Sequence, residues 1–359
     1  MLRLKPLHMR SVERCRRGAW LGLTLTFFSV LLALPAAAAP PVGAALQAAT
    51  SPDKATQPAN INDWLMRMHE ASRKRSYVGT FVVSSAATMS SARIWHVCQG
   101  DQQVERVEAL TGPPRSVYRH NNLVHSFLPD SKVMLSERRE SLGLFPDLLK
   151  SASSGIADFY TAKAVGHERV AGIQTDVVEL RPKDNLRFAY RVWAEQESGL
   201  VLKLQTLDAE GQVLEQAAFS ELQFDESLKM DKLLQMMKKT GGYRVEKLKL
   251  SKTTADAEGW VLKTPVPGFN SLSCYRRPVA NRELGGRAES MQWTFSDGLA
   301  SISLFVEPYE QRHHKQESSL SIGATQTITR RINAYWVTAM GEVPLATLQL
   351  FVVNLKRKP

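Results

Sequence analysis

The chain has 359 residues, 43% of them hydrophobic and 23% charged, and carries a formal net charge of +11 at neutral pH. That length allows two domains, each able to bury a core. The basic excess favours an acidic partner such as lipid phosphate or an acidic peptide. The pairs Arg138-Arg139, Lys238-Lys239, Arg276-Arg277 and Arg330-Arg331 are scattered and lack aromatic interleaving, which argues against a nucleic-acid partner.

Residues 1–38 read as a secretory signal peptide. Arg3, Lys5, Arg10, Arg14, Arg16 and Arg17 make a basic head, Ala19 to Leu34 is an apolar run, and Ala36-Ala37-Ala38 offers a cleavage site. A cut after Ala38 keeps Pro40 away from the scissile bond. The alternative is an uncleaved anchor, for which the run is short against the roughly 20 residues a span needs. Arg16-Arg17 leaves both the general secretory and the twin-arginine route open. Cleavage removes those six bases and Glu13, so the charge falls by five to +6. Cys98 and Cys274 remain after export. In an oxidising compartment they either form a disulfide between domains or stay as two buried thiols.

From 39 to 60 half the residues are Ala or Pro and none is aromatic, the composition of a flexible tether. Asn62 then caps a helix with Trp64, Leu65, Met68 and Ala71 on one face. After Ser76 the period changes to two, and short strands follow at Tyr77–Ser84, Ala92–Cys98, Val104–Ala109, Arg115–Arg119, Leu123–Phe127 and Lys132–Ser136. Asn121-Asn122 and Pro129-Asp130 supply tight turns. Leu142 to Tyr160 interrupts the sheet with clustered apolar residues of helical spacing. It serves either as a plug completing the core or as a lid over an apolar ligand cavity. Strands resume at Ala162–Val170, Ile173–Arg181, Arg187–Ala194, Leu200–Leu207 and Val213–Phe224. The fold class is therefore mainly β with some α, and its large domain, over 61–225, is a strongly curved or barrel-like antiparallel sheet.

Residues 226–258 read as an interdomain connection, helical from Leu228 to Met237. A smaller α+β domain spans 259–359. Its clearest element is a hairpin over Met291–Val306 with a two-residue Asp297-Gly298 turn, pairing Phe295 with Ala300, Trp293 with Ile302 and Met291 with Leu304. His313 and His314 fall in a polar loop with no second ligand group for a metal. One or two further strands cover Thr325–Ala339, and a last amphipathic helix has Pro344 in its first turn. The chain has no GxSxG elbow, HExxH, P-loop or dinucleotide glycine pattern. No catalytic residue, metal or cofactor is expected, which favours a binding protein.

Several stretches together carry a resemblance. In the first half they are Leu110-Thr111-Gly112-Pro113-Pro114-Arg115, Phe188-Ala189-Tyr190-Arg191-Val192-Trp193, and Leu207-Asp208-Ala209-Glu210-Gly211 followed by Leu214-Glu215-Gln216. In the second they are Pro267-Gly268-Phe269, Arg276-Arg277-Pro278, Ser296-Asp297-Gly298-Leu299 and Gly341-Glu342-Val343-Pro344. In order and spacing the chain resembles, from about Asp63 to Leu355, the RseB/MucB family of periplasmic regulators of the envelope-stress sigma factor. The resemblance implies a LolA-like large domain, an unclosed antiparallel barrel with a helical lid. It also implies a periplasmic, non-enzymatic negative regulator. Such a protein binds the periplasmic part of a single-span anti-sigma factor, protects it from proteolysis, and releases it on sensing lipopolysaccharide or mislocalised lipoprotein. A lipoprotein carrier of LolA type is the alternative, with an exported hydrolase third. Self-association stays open.

Residues expected to line the lipid cavity are Phe81, Val83, Trp95, Val117, Phe127, Phe145, Leu149 and Trp193, chosen from alternation and the lid. Ordinary core is the competing role for each. Arg276, Arg277, Trp293 and Phe295 are expected at the anti-sigma contact, because aromatic and Arg side chains tend to dominate interfaces.

Overall fold

The computed structural model describes residues 61–85, 88–138, 145–146, 149, 155–224, 229–247, 250–278 and 289–358. The stretches read as signal peptide and tether, and most of the stretch read as plug or lid, lie outside the described residues.

The chain opens with α1 (Ile61–Lys74) and continues through β1 (Tyr77–Ser85), β2 (Thr88–Gln99), β3 (Gln102–Ala109), β4 (Ser116–His120), β5 (Leu123–Leu128) and β6 (Val133–Arg138). After α2 (Ile156–Phe159) come β7 (Tyr160–Val170), β8 (Ile173–Pro182), β9 (Ala189–Glu195), β10 (Val201–Leu207) and β11 (Val213–Phe224). Then follow α3 (Met230–Met237), β12 (Arg244–Lys247), β13 (Ser251–Lys252), β14 (Trp260–Leu262) and β15 (Asn270–Pro278). The remaining elements are β16 (Glu289–Ser296), β17 (Ser301–Pro308), β18 (Ser318–Ile322), β19 (Thr325–Ile332), β20 (Tyr335–Gly341), α4 (Leu345–Asn354) and β21 (Leu355–Arg357).

Twelve strands make one sheet in the order β12-β6-β5-β4-β3-β2-β1-β11-β10-β9-β8-β7. Among the described residues its two end strands, β12 and β7, do not pair, so the sheet is unclosed, as expected. All its pairings are antiparallel except β12 on β6. Seven strands make the second sheet, β13-β15-β16-β17-β20-β19-β18. The span read as a connection thus supplies α3 and β12 to the first sheet and β13 to the second.

The two faces of the large sheet are packed differently. On one, α1 sets Leu65 and Met68 among Tyr160, Val178, Leu180, Tyr190 and Val192, while Ala71 joins Tyr77, Phe81, Ile94 and Phe219. On the other, α3 lays Leu233 against Val97 and Val104, and Met237 against Tyr118, Phe127 and Met134. In the smaller sheet, Ile302, Leu304 and Val306 alternate inward along β17 and meet Leu348, Phe351 and Val352 of α4. Burying an aromatic side chain of this size stabilises the fold by about 3 kcal/mol.

Three local expectations are corrected. Asn62 lies within α1, which begins at Ile61, and so does not precede the helix as its cap. Pro344 stands at the N-cap of α4 and not inside its first turn. The β16–β17 hairpin pairs Met291 with Val306, Trp293 with Leu304 and Phe295 with Ile302, a register two residues from the expected one. A shift of two leaves each side chain on its expected face. The loop opens to four residues, 297–300, because Asp297 uses its side chain to hold the turn.

Candidate functional site

The tip of that hairpin is driven into the large domain. Asp297 is buried, and its Oδ1 accepts hydrogen bonds from the backbone N–H groups of Leu299 at 2.9 Å and Ala300 at 2.8 Å. Its Oδ2 accepts from Arg187 Nε at 2.8 Å and from Tyr160 Oη at 3.0 Å. Ser296 completes the turn, receiving a bond from Gly298 N–H and donating to the Ala300 carbonyl. Leu299 packs with α1 and the large sheet. One carboxylate therefore shapes its own loop and holds the partner domain.

Arg187 is fully engaged around that carboxylate. It also donates to Asp184 and, at 2.6 Å, to the Pro267 carbonyl, and its guanidinium lies 4.3 Å from the Phe159 ring and 5.0 Å from the Phe269 ring. Pro267-Gly268 passes so close that a side chain at Gly268, where φ is +80°, would collide with Arg187 and Phe159. Thr347 of α4 donates to the Leu186 carbonyl at 2.9 Å. Burial, then the neighbouring Tyr190 and Asp297, push the Tyr160 hydroxyl well above its ordinary pKa, so it stays a donor. Tyr190, also held up by burial and by Glu342, has a hydroxyl with no hydrogen-bond partner among the described residues.

A second tip, between β18 and β19, meets the large domain at Ser85 and Glu215. Gly323 has φ +58°, and a Cβ there would collide with Ser85 Oγ. Glu215 has its pKa raised by burial and by Glu342.

Phe81, Val83, Phe145 and Trp193 come together in one apolar cluster, and Phe145 bridges it to the cluster holding Leu149. The Phe145 ring centroid is 5.7 Å from Phe81 and 5.0 Å from Phe219. Val117 lies on the same face by register, opposite Val107, itself opposite Ile94. Trp193 turns its indole N–H to Glu168 at 2.8 Å, with the Lys203 ammonium 4.0 Å from its ring. Trp95 and Phe127 do not join this set. Trp95 packs beside Leu233 of α3 with Arg106 4.4 Å over its ring, and Phe127 meets Met237 and Tyr243. Alternation identified both as sheet residues but could not tell which face a later helix would cover.

The four residues expected at the partner contact do not form one surface. Phe295 is 3% exposed, between Trp293 and Phe351 in the core. Trp293 is partly buried there, its N–H on Ser271 Oγ at 2.8 Å. Arg277 points to the opposite face, 5.6 Å over Phe305, and Arg276 is held by Glu258 at 2.6 Å. Cys274 is a free thiol, so the bridge to Cys98 is not formed; Cys98 Sγ lies 3.7 Å from Ser76 Oγ, and burial with Glu258 nearby raises Cys274 to about 11. His314, read as a polar-loop residue, is buried and structural, stacked 4.9 Å from Trp336 and 3.1 Å from Glu307. Sequence reasoning missed Arg187, Tyr160, Glu215 and Glu342. The buried Arg-Asp pair is separated by 110 positions, and only the shared motif stretches around 187 and 297 hinted at it.

Comparison with known proteins bears on the whole chain. A family model described as MucB/RseB N-terminal domain matches residues 60–237, and one described as MucB/RseB C-terminal domain matches 254–356. The chain is 29% identical over 309 residues to the sigma factor AlgU regulatory protein MucB of Pseudomonas aeruginosa, covering 84% of this chain and 92% of that one. It is 24% identical over 346 residues to the sigma-E factor regulatory protein RseB of Escherichia coli K12, covering 94% and 97%. Among solved structures, a crystal structure of MucB in complex with MucA(peri) superposes with a TM-score of 0.62 at 25% identity, covering 83% of this chain and 98% of that one.

Proposed function

The chain belongs to the MucB/RseB family, and from that premise we propose that it is a periplasmic negative regulator of an envelope-stress sigma-factor pathway. In this reading it binds the periplasmic segment of a membrane anti-sigma factor, shields it from proteolysis, and releases it when lipid or mislocalised lipoprotein is sensed. The observation that carries the reading is the joint likeness of both domains, in order, to regulators named for a sigma factor and to a MucB structure that holds MucA(peri). No catalytic role is part of the proposal. The domain division proposed is 61–225 and 259–359, with export directed by residues 1–38.

For the lipid arm, the support is the aromatic cluster of Phe81, Phe145 and Phe219. Phe145 is half-buried and belongs to the stretch between β6 and α2, so an acyl chain entering there would displace its ring from the two others. Val83, Val117 and Leu149 complete that proposed lining, while Trp95 and Phe127 are dropped from it. For the anti-sigma arm, the proposed contact narrows to Arg276, the exposed one of the four, since Arg277 points to the other face of the sheet. The two ligands are linked: lipid weakens the grip on the anti-sigma segment only by the factor by which that segment weakens lipid binding.

The test is a titration against the soluble periplasmic segment of the matching anti-sigma factor, with and without a lipopolysaccharide fragment. Binding that the lipid weakens is expected, and Phe145→Asp should weaken lipid binding while leaving the segment bound. Folded protein that ignores the segment would turn the reading toward a lipoprotein carrier.

A further inference from the structure

α4 and the strand pair β14–β21 form an outer wall of the smaller domain. The helix, Leu-Ala-Thr-Leu-Gln-Leu-Phe-Val-Val-Asn, is apolar on nearly every side. Leu348, Phe351 and Val352 enter the core, yet Leu350 remains 40% and Val353 54% exposed. A helix of this composition is ordinarily enclosed. Its outward side continues onto the strand pair, where Val261, 39% exposed, pairs with Lys356. Leu262 and Leu355 pair inward, so alternation sends Val261, Lys263 and Lys356 outward. The Lys263 N–H donates to the Asn354 carbonyl at 2.8 Å, which places the lysine beside the end of the helix. Among the described residues neither Lys263 nor Lys356 has an ion-pair partner. The acids nearby are taken, Asp256 by Lys358 and Glu258 by Arg276.

The composition of this wall decides between classes of occupant. Protein interfaces are depleted in Lys and centre on aromatic or Arg anchors. This wall offers aliphatic side chains rimmed by unpaired lysines, whose stems lie along apolar surface while their heads reach outward. Such a pattern suits the boundary between headgroups and acyl chains of an anionic bilayer. We propose that the α4/β14–β21 wall docks the protein on an anionic membrane surface, with Leu350, Val353 and Val261 at the headgroup boundary and Lys263 and Lys356 on lipid phosphates. The contact is shallow and reversible, and each lysine contributes about fivefold to partitioning. It is separate from the acyl-chain site proposed around Phe145 and stands whether or not an anti-sigma segment is bound.

The experiment is sedimentation of protein recovered from the periplasm with vesicles of phosphatidylethanolamine and phosphatidylglycerol, against vesicles of phosphatidylcholine alone. Binding to the anionic vesicles is expected, weakening as salt shortens the Debye length. Lys263→Gln with Lys356→Gln should lower it about 25-fold, and Leu350→Asp with Val353→Asp should abolish it. Leu320→Asp, at an exposed position on β18, should change nothing. Thermal unfolding verifies the fold of each variant, and the lysine pair decides the matter if the aspartates perturb it. Equal binding to both vesicle types, or wall variants that sediment like the parent, overturns the proposal. So does loss of the soluble anti-sigma segment by wall variants whose vesicle binding is unchanged, which would assign the wall to a protein partner.

Discussion

Two points where the smaller sheet meets the larger, at the β16–β17 and β18–β19 tips, are built on opposite electrostatics. At the β16–β17 tip a buried carboxylate meets a buried guanidinium and a tyrosine hydroxyl, and both its oxygens are used. At the β18–β19 tip a glycine rests on Ser85 and Glu215, and Glu215 is crowded by the like charge of Glu342. One anchor is charge-matched and the other is charge-strained. An interface built this way is held firmly at one end and can be loosened at the other at little cost.

The largest effect expected from breaking this asymmetry is at the matched anchor. Asp297→Ala takes the buried carboxylate from Arg187 Nε, leaving it only the partly exposed Asp184 and the Pro267 carbonyl, and should cost about 3–5 kcal/mol in urea unfolding and expose the joint to protease. Replacing both residues by apolar ones, Arg187→Met with Asp297→Leu, should recover part of that loss. Equal damage in the double variant would mean that the turn, not the ion pair, is what matters. At the strained anchor, Gly323→Ala meets both a positive φ and Ser85, and a loss of about 1–3 kcal/mol is expected. Ser85→Gly in the same chain should relieve the collision but not the backbone strain, so partial rescue separates the two causes.

A smaller effect tests the like charges. The folded-state pKa of Glu215 is raised, so its contribution is intact below the ordinary value near 4.5 and is lost as pH climbs through the raised value. Glu215→Gln should therefore be the more stable protein at neutral pH, with the advantage vanishing on acidification. Parallel stability curves for the two proteins would remove Glu342 from the account.

The strands of the large sheet were legible because alternation and turn residues such as Asn121, with φ +51°, mark them locally. Which face each strand buries was not, since α3 covers Trp95 and Phe127 from more than 100 positions downstream. The hairpin at 291–306 was found with its faces right and its register wrong, because Asp297 reads as a turn residue only until Arg187 competes for its second oxygen. β12, a parallel strand in a Lys-rich stretch, carries no pattern of its own. Arg187 itself looked like any strand-edge cation.

The least effect expected concerns the cysteines. The Cys274 thiol should be titratable after unfolding, and reductant should leave the unfolding midpoint unchanged. Cys274, with its pKa pushed up to about 11, should resist thiol reagents in the native protein. A shift on reduction would show a covalent staple that the joint as described does not need.

The double duty of Asp297 also has a consequence for inheritance. Because one carboxylate closes its own loop and seats Arg187, losing Asp297 spoils two structures at once, and losing Arg187 leaves a buried carboxylate short of its cation. Among related chains, position 187 should lose its arginine only where position 297 has lost its acid, and such paired changes should be rare steps separating lineages.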